Sequence, residues 1–202
     1  MKLYFAPAAC SIAAHSVLIE AKLPFEAVKV DFMRGRATSD GGDFWKVNPL
    51  GYVPALLLDD GQLLTEGAII MQYIADLAPE SHLAPPLGSF ERVRMNELLH
   101  FMATELHKGM GPFFGKTAND EYKAEVKQRL TGRLTRLANH VEGKPWLFGD
   151  RFTIADAYSV YLLRTWKNVV KGDLGPTLGA YYARLVEHPS VKAAMAAEGI
   201  QP

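Results

Sequence analysis

Residues 53–77 read Val53-Pro54-Ala55-Leu56-Leu57-Leu58-Asp59-Asp60-Gly61-Gln62-Leu63-Leu64-Thr65-Glu66-Gly67-Ala68-Ile69-Ile70-Met71-Gln72-Tyr73-Ile74-Ala75-Asp76-Leu77. An apolar run, Ala55–Leu58, stops at Asp59-Asp60-Gly61, a hairpin signal, and Gln62–Thr65 reads as the return strand. Gly67–Leu77 then carries Ile70, Ile74 and Leu77 at helical spacing. Upstream, Lys2–Phe5 and Ala27–Val30 read as strands with a helical stretch, Ser11–Lys22, between them. A crossover helix implies a parallel pair, and the hairpin implies an antiparallel one. The first 80 residues therefore predict a mixed, four-stranded sheet with helices, an α/β unit.

Downstream the pattern changes. Prolines at 79, 85 and 86 mark a linker, since proline is excluded from helix interiors. After it, Leu98, Met102, Leu106 and Met110 recur every four residues. Val126, Leu130, Leu134, Leu137 and Val141 recur at steps of four or three, and no strand alternation follows residue 90. The expected division is an α/β domain over 1–80 and an all-helical domain over 88–202.

Composition narrows the function classes. The 202 residues hold 22 basic and 22 acidic side chains, for zero net charge. That balance gives no electrostatic reason to expect nucleic acid or an anionic membrane as partner. No segment approaches the roughly 20 apolar residues of a membrane span. Nor does Met1–Phe5 open an apolar leader, so a soluble, cytoplasmic protein is expected. Cys10 is the only cysteine. It excludes an internal disulfide and any multi-thiolate metal site within one chain.

Five stretches are candidates for chemistry. Cys10 falls between the first strand and the first helix, in Ala6-Pro7-Ala8-Ala9-Cys10-Ser11. A helix N-terminus favours thiolate through its free N–H groups and dipole; a small buried residue in a turn is the plainer alternative. With no second cysteine, any disulfide of Cys10 must be with another molecule. Val53-Pro54 enters a strand; proline permits a cis bond there, but taken alone an ordinary trans bond is the better reading. Thr65-Glu66-Gly67 opens a helix, either as a cap or as a site for a zwitterion, with backbone N–H groups taking a carboxylate and Glu66 an ammonium. On the long helix, His100, Thr104, His107, Lys108 and Gly111 share one face opposite the apolar stripe, which is ordinarily just solvated. His100 and His107 are seven apart, not the ligand spacing His-x-x-x-His, and no metal site is expected. Finally, Thr153 and Asp156 form a capping signature before a core helix from Ile154 to about Trp166.

Together these stretches resemble a cytosolic glutathione transferase, most closely the bacterial beta class. The resemblance runs from Met1 to about Gly199. It rests on Lys2-Leu3-Tyr4 with Cys10-Ser11, Asn48-Pro49-x-Gly51-x-Val53-Pro54, Leu64-Thr65-Glu66-Gly67, Glu105-x-His107-Lys108-Gly109 and Phe152-Thr153-Ile154-Ala155-Asp156-Ala157. It implies a thioredoxin-like first domain, an all-α second domain and a homodimer, the glutathione transferase fold. It also implies glutathione as co-substrate, a small hydrophobic electrophile as second substrate, and a cis Val53–Pro54 bond.

In that reading Val53 backbone pairs with the cysteinyl part of glutathione, and Glu66 and Gly67 hold its γ-glutamyl end. Cys10, Ser11, His107 and Lys108 stand at the glutathione sulfur. Four departures from the pattern stand out. Phe5 replaces a Tyr found in some members, and Tyr52 replaces a common Gln. The Lys that meets the glycyl carboxylate is unmatched, leaving Arg34 or Arg36. His100 stands where an Asn from the neighbouring subunit often reaches glutathione. Phe5, Ala6, Pro7, Phe113, Phe114 and Trp166 are the expected walls of the second pocket. Two alternatives to conjugation remain: a thiol transferase or reductase working through a Cys10 mixed disulfide, and a binding protein on the same fold.

Overall fold

The strand Lys2–Phe5 (β1) alternates its side chains between two cores. Leu3 faces a large cluster of 44 buried residues, while Tyr4 joins a small cluster of seven on the opposite sheet face. A computed structural model describes all 202 residues. After β1 come α1 (Ser11–Glu20), β2 (Glu26–Asp31), β3 (Ala37–Thr38), α2 (Phe44–Val47), β4 (Ala55–Leu57), β5 (Leu63–Leu64) and α3 (Gly67–Leu77). The strand order is β3-β2-β1-β4-β5, with β1 and β2 parallel and the other pairs antiparallel.

The sheet thus has five strands rather than the four expected. The extra one, β3, is two residues long and pairs Val30 with Thr38 and Asp31 with Ala37. Two residues are too few to show any alternation. Leu77 also departs from the expected buried stripe of α3: it is exposed, and Met71 is buried with Ile70 and Ile74.

Every element from residue 90 on is helical: α4 (Phe90–Phe101), a wide π segment Met102–His107, a 3₁₀ stretch Lys108–Phe113, α5 (Asp120–Val141), α6 (Ile154–Asn168), α7 (Gly175–Glu187) and α8 (Pro189–Glu198). The large core is continuous across both halves, because α1 is buried from Ser11 through Leu18 and packs on α3, α6 and α8. His15 of α1 meets Glu198 of α8 at 3.0 Å, both buried, and burial raises the Glu198 pKa. The proline-rich connection is pinned by Arg92, whose guanidinium grips Asp76 at 2.9 and 2.8 Å and the Pro85 carbonyl at 3.0 Å.

The capping signature is realised as a buried hub. Asp156 accepts from Thr153 N–H (2.8 Å), Thr153 hydroxyl (2.8 Å), Leu147 N–H (2.9 Å) and Tyr181 hydroxyl (2.6 Å). Burial still pushes its pKa up, so those four bonds only partly offset the lost hydration. No helix is long and apolar enough to cross a membrane.

Candidate functional site

The loop Ala6–Cys10 leaves β1 and turns into α1, with Ala8 at φ 63°. Ser11 staples this loop. Its buried hydroxyl donates to the Ala6 carbonyl (3.3 Å) and accepts from the Ala6 N–H (3.2 Å). The hydroxyl expected at a substrate sulfur is therefore spent inside the loop. Cys10 follows the loop at the start of α1, and its thiol donates to the Val53 carbonyl at 3.1 Å. A helix terminus by itself favours the thiolate and lowers the pKa. Desolvation of the sulfur dominates instead and pushes it up to about 12; Glu66 adds to the rise, while nearby N–H groups and Lys108 oppose it.

Val53 precedes a cis proline, as the resemblance implied and the residues alone did not. The approach to it is built by Arg36. The Arg36 guanidinium lies 4.4 Å from the Trp45 ring and 4.9 Å from the Phe32 ring, and its Nε donates to the Gly51 carbonyl at 2.8 Å. Gly51 has φ 66°, and a Cβ there would sit 2.6 Å from Trp45 and 2.8 Å from Arg36. Asn48 completes the turn, donating to the Tyr52 carbonyl at 2.8 Å. Arg34, by contrast, is 84% exposed and reaches only Asp31, at 3.8 Å.

Glu66 opens α3 at φ 65°, and neither it nor Thr65 makes a side-chain cap. A non-glycine residue in this conformation is uncommon and clusters at functional sites. Gly67 follows against the Pro54 ring, 3.5 Å from where its Cβ would stand. Ile69 and Ile70 N–H both donate to the Glu66 carbonyl at 2.9 Å, which leaves the Gly67 and Ala68 N–H groups as the open donors of the first turn.

From the other half, the π segment brings in His107 and Lys108. The Lys108 N–H bonds back five residues to Ala103, the mark of a wide turn, often found at functional sites. This turn undoes the single polar face expected from α-helical spacing. His107 turns inward, its Nδ1 2.8 Å from the Tyr158 hydroxyl and its ring 4.7 Å from that of Tyr161. His100 stays outward, in a groove of about 540 Å³ with Val93, Glu97, Phe101 and Arg136. Burial, helped by Lys108, lowers the His107 pKa to about 4, so the ring is neutral near pH 7. The Lys108 ammonium lies 5.7 Å from the Tyr52 ring, bridging the two halves. Glu105 holds the π segment to α5 through Arg133.

Cys10, Glu66, His107, Lys108, Tyr158 and Tyr161 thus form one electrostatic neighbourhood drawn from both halves. Burial raises both phenols, and the Cys10 sulfur adds to each. Neither tyrosine was singled out in the sequence; a polar-tipped aromatic pair three apart on a buried helix, needing hydroxyl partners, was the available signal. Of the expected pocket walls, Trp166 is 2% exposed, its Nε1 bound to the Asp173 carbonyl at 2.8 Å, and Phe5 is buried beside His15. Phe114 is exposed and Phe113 half-buried. Nowhere do three His, Cys, Asp or Glu side chains gather.

Comparison with known proteins identifies the family. Residues 1–76 match the family described as glutathione S-transferase, N-terminal domain, and residues 101–189 match glutathione S-transferase, C-terminal domain. The chain is 44% identical, over the whole of both chains, to glutathione S-transferase GstA of Escherichia coli O157:H7. A sphingomonad glutathione S-transferase, solved in complex with glutathione, superposes at TM-score 0.92 with 42% identity and full coverage of both chains. A beta-class enzyme of Sphingomonas chungbukensis does so at TM-score 0.91 with 41% identity, again over both chains in full. The chain belongs to the glutathione S-transferase family and is a transferase of the bacterial beta-class kind.

Proposed function

We propose that the protein joins the sulfur of glutathione to small hydrophobic electrophiles at the junction of residues 1–80 with residues 88–202. The observation that carries this is the meeting of the Lys108 cation and a neutral His107 with Cys10, Glu66 and Val53 across that junction. Glutathione lies as an added strand beside Val53 backbone. The Val53 carbonyl has two lone pairs, one already taken by Cys10. The γ-glutamyl zwitterion goes to Glu66 and the open N–H groups of Gly67 and Ala68. The glycyl carboxylate goes to Arg36 in preference to Arg34, because Arg36 is fixed against the Gly51 turn that leads to Val53.

A free thiol with pKa of about 8.5 is mostly protonated at neutral pH. Lys108 and donated hydrogen bonds favour its ionisation, the proton leaving to water. The thiolate electron pair then forms the S–C bond while a leaving group departs with its bonding electrons, or an activated double bond takes them and is protonated. Held geometry supplies the remaining advantage. In its thiol form Cys10 is a hydrogen-bond donor, not a resident nucleophile, which supports conjugation over disulfide exchange. The cofactor role is filled by glutathione as co-substrate, without a metal. We further propose a cytoplasmic homodimer whose interface includes the α4 groove holding His100, with exposed Phe90 and Val93 on the same helix.

A paired assay of Cys10→Ala tests the assignment. Conjugation of an aryl halide is expected to persist. If conjugation is lost and mixed-disulfide reduction by the parent is fast, the thiol-transferase reading replaces it. A parent chain that neither binds glutathione at millimolar concentration nor conjugates it is instead a binding protein on this fold.

A further inference from the structure

His107 has one ring nitrogen engaged: Nδ1, at 2.8 Å from the Tyr158 hydroxyl. A neutral imidazole has one donor and one acceptor nitrogen, so this contact decides which face of the ring carries the proton. A phenol is the stronger acid of the two and an imidazole nitrogen the stronger base. The hydroxyl therefore donates to Nδ1, and the ring proton sits on Nε2. Tyr161 clamps the ring plane edge-on at 4.7 Å, and Tyr158 itself meets it nearly perpendicular at 5.9 Å.

We propose that Tyr158 is a positioning residue whose hydroxyl holds His107 as the Nε2–H tautomer, presenting a neutral N–H donor to the glutathione sulfur. The proposal rests on the reading of the site given above. It divides the labour between neighbours: Lys108 supplies charge, and His107 supplies a directed hydrogen bond. A thiolate is a far stronger acceptor than a thiol, so such a donor favours ionisation without adding a second cation. Around the pair stand Lys108 from the same segment, Tyr161 from α6, and Cys10 and Glu66 from the sheet half. The lowered His107 pKa fits, because an imidazolium would lose the acceptor that the Tyr158 hydroxyl requires.

Nitrogen-15 spectra of the full-length parent, without glutathione, read the tautomer directly. A proton on Nε2 is expected; a proton on Nδ1 overturns the proposal. Tyr158→Phe keeps the ring and removes the donor. It is expected to lower kcat/KM about five- to tenfold at pH 7, with the acidic limb of the pH profile moved upward and KM for glutathione within about twofold. In a His107→Gln background the same change is expected to add nothing. An unchanged pH profile in Tyr158→Phe overturns the proposal and leaves conjugation standing. A parent that does not conjugate overturns the site reading, while its spectra still decide the tautomer.

Discussion

The two sides of the junction are built differently. The sheet side presents backbone: the Val53 carbonyl, the open N–H groups of α3, and a loop stapled by Ser11. Its precision comes from turns at positive φ, in Ala8, Gly51 and Glu66. The helical side presents side chains, His107, Lys108, Tyr158 and Tyr161, and its precision comes from one wide turn and from packing around Asp156. Backbone groups recognise a peptide-like partner in any sheet of this shape. In the proposed function, side chains on helices tune what happens at its sulfur. Substitutions on the helical side should therefore move stability and pH behaviour, and those on the sheet side should move binding.

The largest expected effect is on the helical side. Asp156→Ala leaves the Tyr181 hydroxyl and the Leu147 and Thr153 donors unpaired in the core, and should cost roughly 3–5 kcal/mol in denaturant unfolding. A loss under 1 kcal/mol would show that α6 is held by apolar packing alone.

Next comes acid. His107 titrates near 4 when folded and near 6.5 when free. The native state thus binds fewer protons between those values, and stability must fall as pH drops through that window. The linkage amounts to at most about 3 kcal/mol. The stability difference between pH 7 and pH 4.5 should shrink in His107→Gln; an unchanged difference would place the acid sensitivity elsewhere.

On the sheet side, Gly51→Ala combines positive φ with a clash against Trp45 and Arg36. It should cost about 1–3 kcal/mol and weaken glutathione binding together with stability. Smallest in stability is Glu66→Ala, expected within about 0.5 kcal/mol because Glu66 caps nothing. Titration calorimetry should nevertheless show glutathione binding weakened by about tenfold, the scale of a lost charged hydrogen bond. Normal binding with a large melting shift would invert the comparison between the two sides.

Much of this was legible in the residues. The hairpin at Asp60-Gly61, the crossover helix after β1, the helical second half and the Thr153–Asp156 cap all rest on local chemistry that neighbours in sequence supply. The four-residue spacing of Leu98, Met102, Leu106 and Met110 itself matches the π segment. Strict four-residue steps drift by about 40° each on an α-helix, and a wide turn absorbs that drift to keep all four buried. Sequence order also placed Cys10 at a helix start, where a lowered pKa follows if nothing else acts.

Other features were set by contacts between distant segments. Burial, a property of the whole fold, reversed the Cys10 pKa, because removing water from a sulfur outweighs a helix end. Arg36 became part of the Gly51 turn through Trp45 and Phe32, and β3 formed through pairing with β2, not through its own pattern. Only the packing of α6 against the π segment put Tyr158 on His107, residues 51 apart. The sequence alone determined most of the elements, their order, the family and the short list of reactive groups, since those depend on local spacing and residue type. The tertiary structure decided which groups are charged, which are spent as scaffolding and which meet, since desolvation and hydrogen-bond pairing exist only once distant segments share a core.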